Sequence, residues 1–218
     1  MHTKSIAVGG VKGKKWTVTP RGPHPKSESM PLLSVLRDLK YADNAVEAKK
    51  IIVKGMILVD GKKVKNPVHG VGLMDSISLP TIKKNYRIMP VKHGLIPKEI
   101  HEKDTKVKLC RVIGKTLLSG NKLQLNLHDG TNILSDTKVK VGDTVVLEVP
   151  SRKIKEILPY EKGATAVVVS GRHRAQSGAI KEIVAGDAAR KSLTTIGERQ
   201  TLTEYVFIIG KDKAQVEL

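Results

Sequence analysis

A chain of 218 residues, 39% hydrophobic and 28% charged, has a folding rather than a disordered composition and is long enough for one large domain or two to three small ones. Its net charge of +18 suits a polyanionic partner, nucleic acid first and an anionic membrane second. The single cysteine, Cys110, excludes an internal disulfide and a cysteine-based zinc site, no run approaches the ~18 apolar residues of a membrane span, and the start lacks the apolar core of a signal peptide, so a soluble, reducing, cytoplasmic setting is expected.

Residues 1–29 hold six Lys/Arg against one acid in glycine- and proline-rich sequence without periodicity. They read as a basic arm, disordered alone or ordering on a polyanion, with Lys12, Lys14, Lys15 and Arg21 as candidate contacts and Trp16 as an anchor. Residues 30–92 hold twelve bases and five acids, so the main electrostatic footprint belongs to the N-terminal half. In "SMPLLSVLRDLKYA", Ser29 can cap a helix and Pro31 fits its first turn. Leu32, Val35, Leu36 and Leu39 then form one apolar stripe, with Arg37 and Asp38 pointing away and Lys40 just beyond. A second helix follows in "DNAVEAKKIIVKG", with Asn44 and Glu47 as a capping box and Gly55 as the terminating residue. Ala45, Ala48, Ile51 and Ile52 share its apolar face, and Lys49, Lys50 and Lys54 the opposite arc, blurred by Val46 and Val53. Next, Ile57 and Val59 mark a short strand, Asp60-Gly61 a tight hairpin turn, and Lys62, Lys63 and Lys65 a cationic return. Helix and hairpin lysines together predict a groove for phosphate backbone, with steeply salt-dependent binding.

Downstream the pattern turns to short strands. Leu123, Leu125 and Leu127 alternate before a turn at Asp129-Gly130; Val139 and Val141, then Val145, Leu147 and Val149, alternate next; "GATAVVVSG", "SGAIKEIVAG" and "LTEYVFIIG" are further strands. Close, regular spacing with glycine turns indicates small β modules. Asp129, Asp136 and Asp143 are turn acids without chemistry, and His128 has no nucleophile partner. The stretch "VVVSGRHRAQSGAI" brackets Arg172, His173 and Arg174 between Gly171 and Gly178. A catalytic phosphate loop reads G-x-x-x-x-G-K-S/T and opens a helix. Here a strand follows Gly178 and no lysine stands in place, so the segment reads as a turn presenting cations, to which Arg190, Lys191 and Arg199 can add. Aromatics are only 3%, too few to build both a core and platforms for stacked bases, which favours reading of backbone and shape.

The run "NAVEAKKIIVKGMILVDGKKV" resembles the S4 RNA-binding domain: a capped helix, Ala-x-x-Ile-Ile-x-x-Gly, a strand, then Asp-Gly-Lys. That family often begins the helix with Ser-Arg where this chain has Asn44-Ala45, so no arginine contact is carried over there. With "PRGPHPKSESMPLLSVLRDLKYADNAVEAKKII" and "HGVGLMDSISLP", the resemblance widens to small-subunit ribosomal proteins of the S4e family, leaning to its archaeal members. It implies an α+β multidomain chain: a basic arm (1–29), a small α/β S4-type RNA-binding domain (30–92), a central β domain (93–158) and an SH3-like KOW barrel (159–218). In the KOW motif a glycine is usual where this chain has Ala175, which requires negative φ at that residue. The implied function is a structural, non-enzymatic, cytoplasmic constituent of the small subunit, with its rRNA and neighbouring ribosomal proteins as partners. No cofactor, metal, catalytic residue, membrane or small-molecule substrate is expected. The alternatives are an S4-bearing RNA-modifying enzyme, which needs a catalytic domain the later strands do not offer, and a translation or transcription factor, which leaves the basic N-terminal half unexplained.

Overall fold

In a computed structural model that describes residues 18–135, 137–187, 190–211 and 214, the chain divides into two units. The first takes in the described residues up to Lys108 together with Glu148–Lys153, and the second Leu109–Leu147 and the described residues from Ile154 onward.

The first unit opens with strand β1 (Ser29–Pro31), which leads without a loop into helix α1 (Leu32–Asp38). Ser29 therefore does not cap the helix. Its residue pairs with Gly72 and its hydroxyl donates to the Pro25 carbonyl at 2.9 Å. Pro31, extended at φ −66° and ψ 135°, is the boundary residue, because its ring fixes a φ common to strand end and helix start. The apolar stripe forms as expected: Leu32, Val35 and Leu36 are buried, Leu39 partly so, and Arg37 and Asp38 are exposed. Helix α2 (Ala45–Val53) starts where Asn44 Oδ1 accepts from the N–H groups of Val46 and Glu47, both at 3.0 Å. The Glu47 carboxylate returns to Asp43 N–H, one residue before the cap. Gly55, at φ +71°, ends the helix, and Ala48 and Ile52 bury its inner face while Ala45 stays exposed. Strands β2 (Leu58–Val59) and β3 (Lys62–Lys63) follow. Asp60 and Gly61 join them at φ +47° and +70°, the two left-handed residues of a type I′ turn.

Strand β4 (Gly70–Gly72) pairs with β1, and β5 (Ser76–Leu79), β6 (Lys84–Val91) and β7 (Gly94–Glu99) extend the hairpin into a five-stranded antiparallel sheet ordered β3-β2-β5-β6-β7. Sequence pattern did not single out β5 to β7. Five consecutive residues of β6, Tyr86 to Pro90, are buried, which erases the period of two, and Pro90 and Pro97 lie inside the strands, where a proline argues against reading a strand from sequence. The buried guanidinium of Arg87 donates to the carbonyls of Asp104 and Val107 at 2.6 and 2.7 Å. Residues 18–29 are not a free arm: Pro20, His24 and Ser29 are buried within this unit.

The second unit holds two antiparallel sheets, except that Val107, Lys108 and Glu148, at the ends of two strands of the first sheet, belong to the first unit. In the first, β8 (Val107–Leu117), β9 (Leu123–Leu127), β10 (Asn132–Ser135), β11 (Thr144–Glu148) and β12 (Ile154–Leu158) lie in the order β10-β9-β8-β11-β12. In the second, β13 (Thr165–Val168), β14 (Ser177–Val184), β15 (Leu193–Ile196), β16 (Arg199–Leu202) and β17 (Val206–Gly210) lie in the order β16-β15-β14-β13-β17. The alternating leucines behave as read: Leu125 and Leu127 are buried with Cys110, Val112, Val139, Val145 and Leu147. Val141 does not join them. The Asp143 carboxylate accepts from Lys140 N–H at 2.7 Å and closes a turn that breaks the alternation there. Asp129 likewise serves its own turn, accepting from the N–H and hydroxyl of Thr131 at 3.0 and 2.6 Å.

Candidate nucleic-acid interface

The cations of the first unit reach solvent through ordinary local geometry. Lys49, Lys50 and Lys54 are exposed because Ala48 and Ile52 fix the inner face of α2 against the core. Lys62 and Lys63 are exposed on β3, the edge of the sheet, and Lys65 is exposed with its stem over the C-terminal end of α2, Cε lying 3.6 Å from where a Cβ on Gly55 would sit. Arg37, Lys40 and Arg21 are exposed on the same unit. Lys12, Lys14, Lys15 and Trp16 lie outside the described residues, as does Asp136.

Acids that sequence counts against this charge are turned away from it. Lys108, only 5% exposed, places its ammonium 2.6 Å from Asp60 Oδ2 and 2.7 Å from Asp75 Oδ1. Asp75, 3% exposed, accepts on Oδ2 from His24 Nε2 at 2.8 Å and from Gly72 N–H at 2.9 Å. Burial alone raises a carboxyl, but here the Lys108 ammonium and His24 outweigh it and hold Asp75 well below the usual carboxylate range. Burial, then the Asp75 charge, push Asp60 upward, and Lys108 opposes them. Two of the five acids in residues 30–92 are thus spent inside the unit, and the outer faces of α2 and the hairpin keep their lysines.

The loop between β13 and β14 is held by Ala175 N–H donating to Val168 O and Val168 N–H donating to Gln176 O, at 2.8 and 2.9 Å. Arg172 is exposed, while His173 and Arg174 are half-buried; Arg190, Lys191 and Arg199 are exposed, and Lys191 is paired with Glu204 at 3.1 Å. Gly171 has φ +82°, and a Cβ there would meet the Tyr205 ring at 3.1 Å, so both the turn and the ring require glycine. Ala175 stands at φ +67°, against the expected negative φ; the loop keeps its left-handed backbone because its two closing hydrogen bonds dictate it. Among the described residues no Tyr or Phe ring is exposed: Tyr86 and Phe207 are buried, and Tyr41, Tyr160 and Tyr205 are partly covered.

Residues 30–77 match the S4 domain, and residues 82–154 match the ribosomal family S4e. The small ribosomal subunit protein eS4 of Methanothermobacter thermautotrophicus is 43% identical over 218 residues, spanning 95% of this chain and 89% of that protein. The chain belongs to the S4e family of ribosomal proteins. The small ribosomal subunit protein eS4 of Methanocaldococcus jannaschii is 42% identical across 94% of this chain and 89% of that protein. A crystal structure of the 30S ribosomal protein S4e from Thermoplasma acidophilum superposes with a TM-score of 0.76 at 34% identity, covering 84% of this chain and 96% of that one. The fold of this S4e member is accordingly an S4 domain followed by mostly β modules.

Sequence reasoning missed the His24, Asp60, Asp75 and Lys108 cluster. Its trace is in the two stretches that carried the family resemblance: "PRGPHPKSES" supplies His24 and "HGVGLMDSISLP" supplies Asp75, and β1 pairing with β4 brings them together. Lys108 lies in neither and carries no local signal.

Proposed function

We propose that the chain is a structural, non-catalytic constituent of the small ribosomal subunit, working in the cytoplasm, that grips rRNA backbone through its S4 domain and the basic residues before it. The observation that carries this reading is the S4 match over residues 30–77 coinciding with the exposed Lys49, Lys50, Lys54, Lys62, Lys63 and Lys65, in a chain 43% identical to an eS4 protein across 95% of its length. Cations set over phosphates release condensed counterions, which supplies affinity without base reading. The shortage of exposed aromatic rings supports backbone and shape recognition over base stacking.

Residues 1–29, rooted in the first unit by residues 18–29, carry Lys12, Lys14, Lys15 and Arg21 to RNA; the S4 domain follows, its sheet running past residue 92 through β7 to Glu99, then the central β domain up to residue 158 and an SH3-like KOW barrel over 159–218. The five-stranded order β16-β15-β14-β13-β17 and the glycine-bounded loop support the last. In that loop Arg172, with His173 and Arg174 behind it, meets RNA phosphate, and Arg37 and Lys40 extend the S4 contact. Neighbouring small-subunit proteins complete the partners. Sedimentation of native lysate through a gradient tests the whole: the protein runs with the small subunit at low salt, and its recovery as free protein at the top overturns the assignment.

A further inference from the structure

We propose that His24, Asp75, Lys108 and Asp60 form a positioning strut for RNA binding, which rests on the reading above: the strut locks the root of the basic N-terminal segment and the turn of the lysine hairpin into one fixed relation, so that both meet the RNA backbone together. At one end, Arg21 N–H donates to Val68 O at 2.8 Å and Gly70 N–H donates to Arg21 O at 2.9 Å, anchoring the segment alongside β4. The His24 ring lies flat on Gly72, where an added Cβ would stand 2.4 Å from Nδ1, so no other residue leaves room for it. Its Nε2 donates to Asp75, the other oxygen of Asp75 takes the Lys108 ammonium, and the same ammonium reaches Asp60. At the far end Asp60 accepts on Oδ1 from Ser76 N–H at 2.9 Å and from the Ser76 hydroxyl at 3.2 Å. Asp60 is the first residue of the turn that carries Lys62 and Lys63. Apolar side chains of the same volume often stabilise a core as well as or better than a buried ion cluster, so stability alone does not account for these residues. What the cluster adds is direction: both carboxylates take the one ammonium, Asp75 also takes the imidazole N–H, and each bond fixes an angle as well as a distance.

The test uses the full chain, a short fully paired RNA duplex as probe, and two substitutions. His24→Phe keeps a ring over Gly72 and deletes the donor; His24→Gln restores an N–H. Expected for His24→Phe is about tenfold faster hydrogen exchange at the amides of Asp60 and Ser76, with α1 amides unchanged, and return toward wild type in His24→Gln. RNA affinity falls about fivefold in His24→Phe, and adding Lys62→Ala and Lys63→Ala costs less than the product of the separate losses, because one displaced hairpin underlies both. If His24→Phe does not fold, Ser76→Ala loosens the other end and is expected to show the same pattern more weakly. Unchanged exchange at the hairpin, or strictly multiplicative losses, overturns the strut while leaving RNA binding in place. Wild-type protein that fails to bind the duplex at low salt overturns the RNA-binding reading and the strut with it.

Discussion

Asp60 serves two structures at once: its backbone, at φ +47°, makes the hairpin turn, and its carboxylate turns inward to Lys108. That single inward rotation removes a negative charge from beside Lys62 and Lys63. Asp75 is held below its ordinary 3.8, so the unfolded chain takes up the proton first, and stability is lost as pH falls through and below 3.8; Asp60, shifted the other way, offsets part of this. His69 is lowered from 6.5 by burial, the pull of Asp75 and the push of His24 partly cancelling, so its contribution is lost earlier, as pH falls below 6.5. Denaturant unfolding across pH is expected to show both declines, and His69→Gln to remove the upper one alone. Ala175, at φ +67°, holds a conformation that costs an L-residue about 1 kcal/mol. Ala175→Gly is expected to raise stability by at most about 0.6 kcal/mol in the same assay, the gain reduced by the extra freedom glycine has when unfolded. Nothing in the structure explains why alanine stands there.

At the scale of elements, α2 and the β2–β3 hairpin were legible because each carries its own stop and start. Asn44 caps, Gly55 terminates and Asp60-Gly61 turns, all through hydrogen bonds and φ values set within a few residues. The boundary of α1 was not, because Ser29 has two uses: it can cap a helix or join a ladder. The distant partner Gly72 decided between them. Since Lys49, Lys50, Lys62 and Lys63 are exposed and bear no core contact, replacing all four with Ala is expected to change stability little, within about 0.5 kcal/mol for each site. The same variant is expected to flatten the slope of log affinity against log salt by about three, a little under one for each lost phosphate contact. A nitrocellulose-filter titration at several salt concentrations checks this, and an unchanged slope moves the binding face elsewhere.

For the whole molecule, truncation separates tail from fold. Removing residues 1–17 is expected to weaken RNA binding and leave the first unit folded, as read by thermal melting and filter binding. Removing 1–29 is expected to destabilise that unit by about 3 kcal/mol or more, because Asp75 loses His24 inside the core and β4 loses Ser29. A chain that melts normally without residues 1–29 places the whole segment outside the fold. By itself the sequence determined the basic character, the S4 helix pair and hairpin, and the strand-rich remainder, since charge, periodicity and turn chemistry are local and additive along the chain. The tertiary structure alone decided that residues 18–29 belong to the S4 unit, that β6 is buried on both faces, and that two acids are spent on Lys108. The first and last of those outcomes depend on groups 33 to 51 positions apart, Lys108 with Asp75 and His24 with Asp75, and the energy that joins them appears only when burial removes their water.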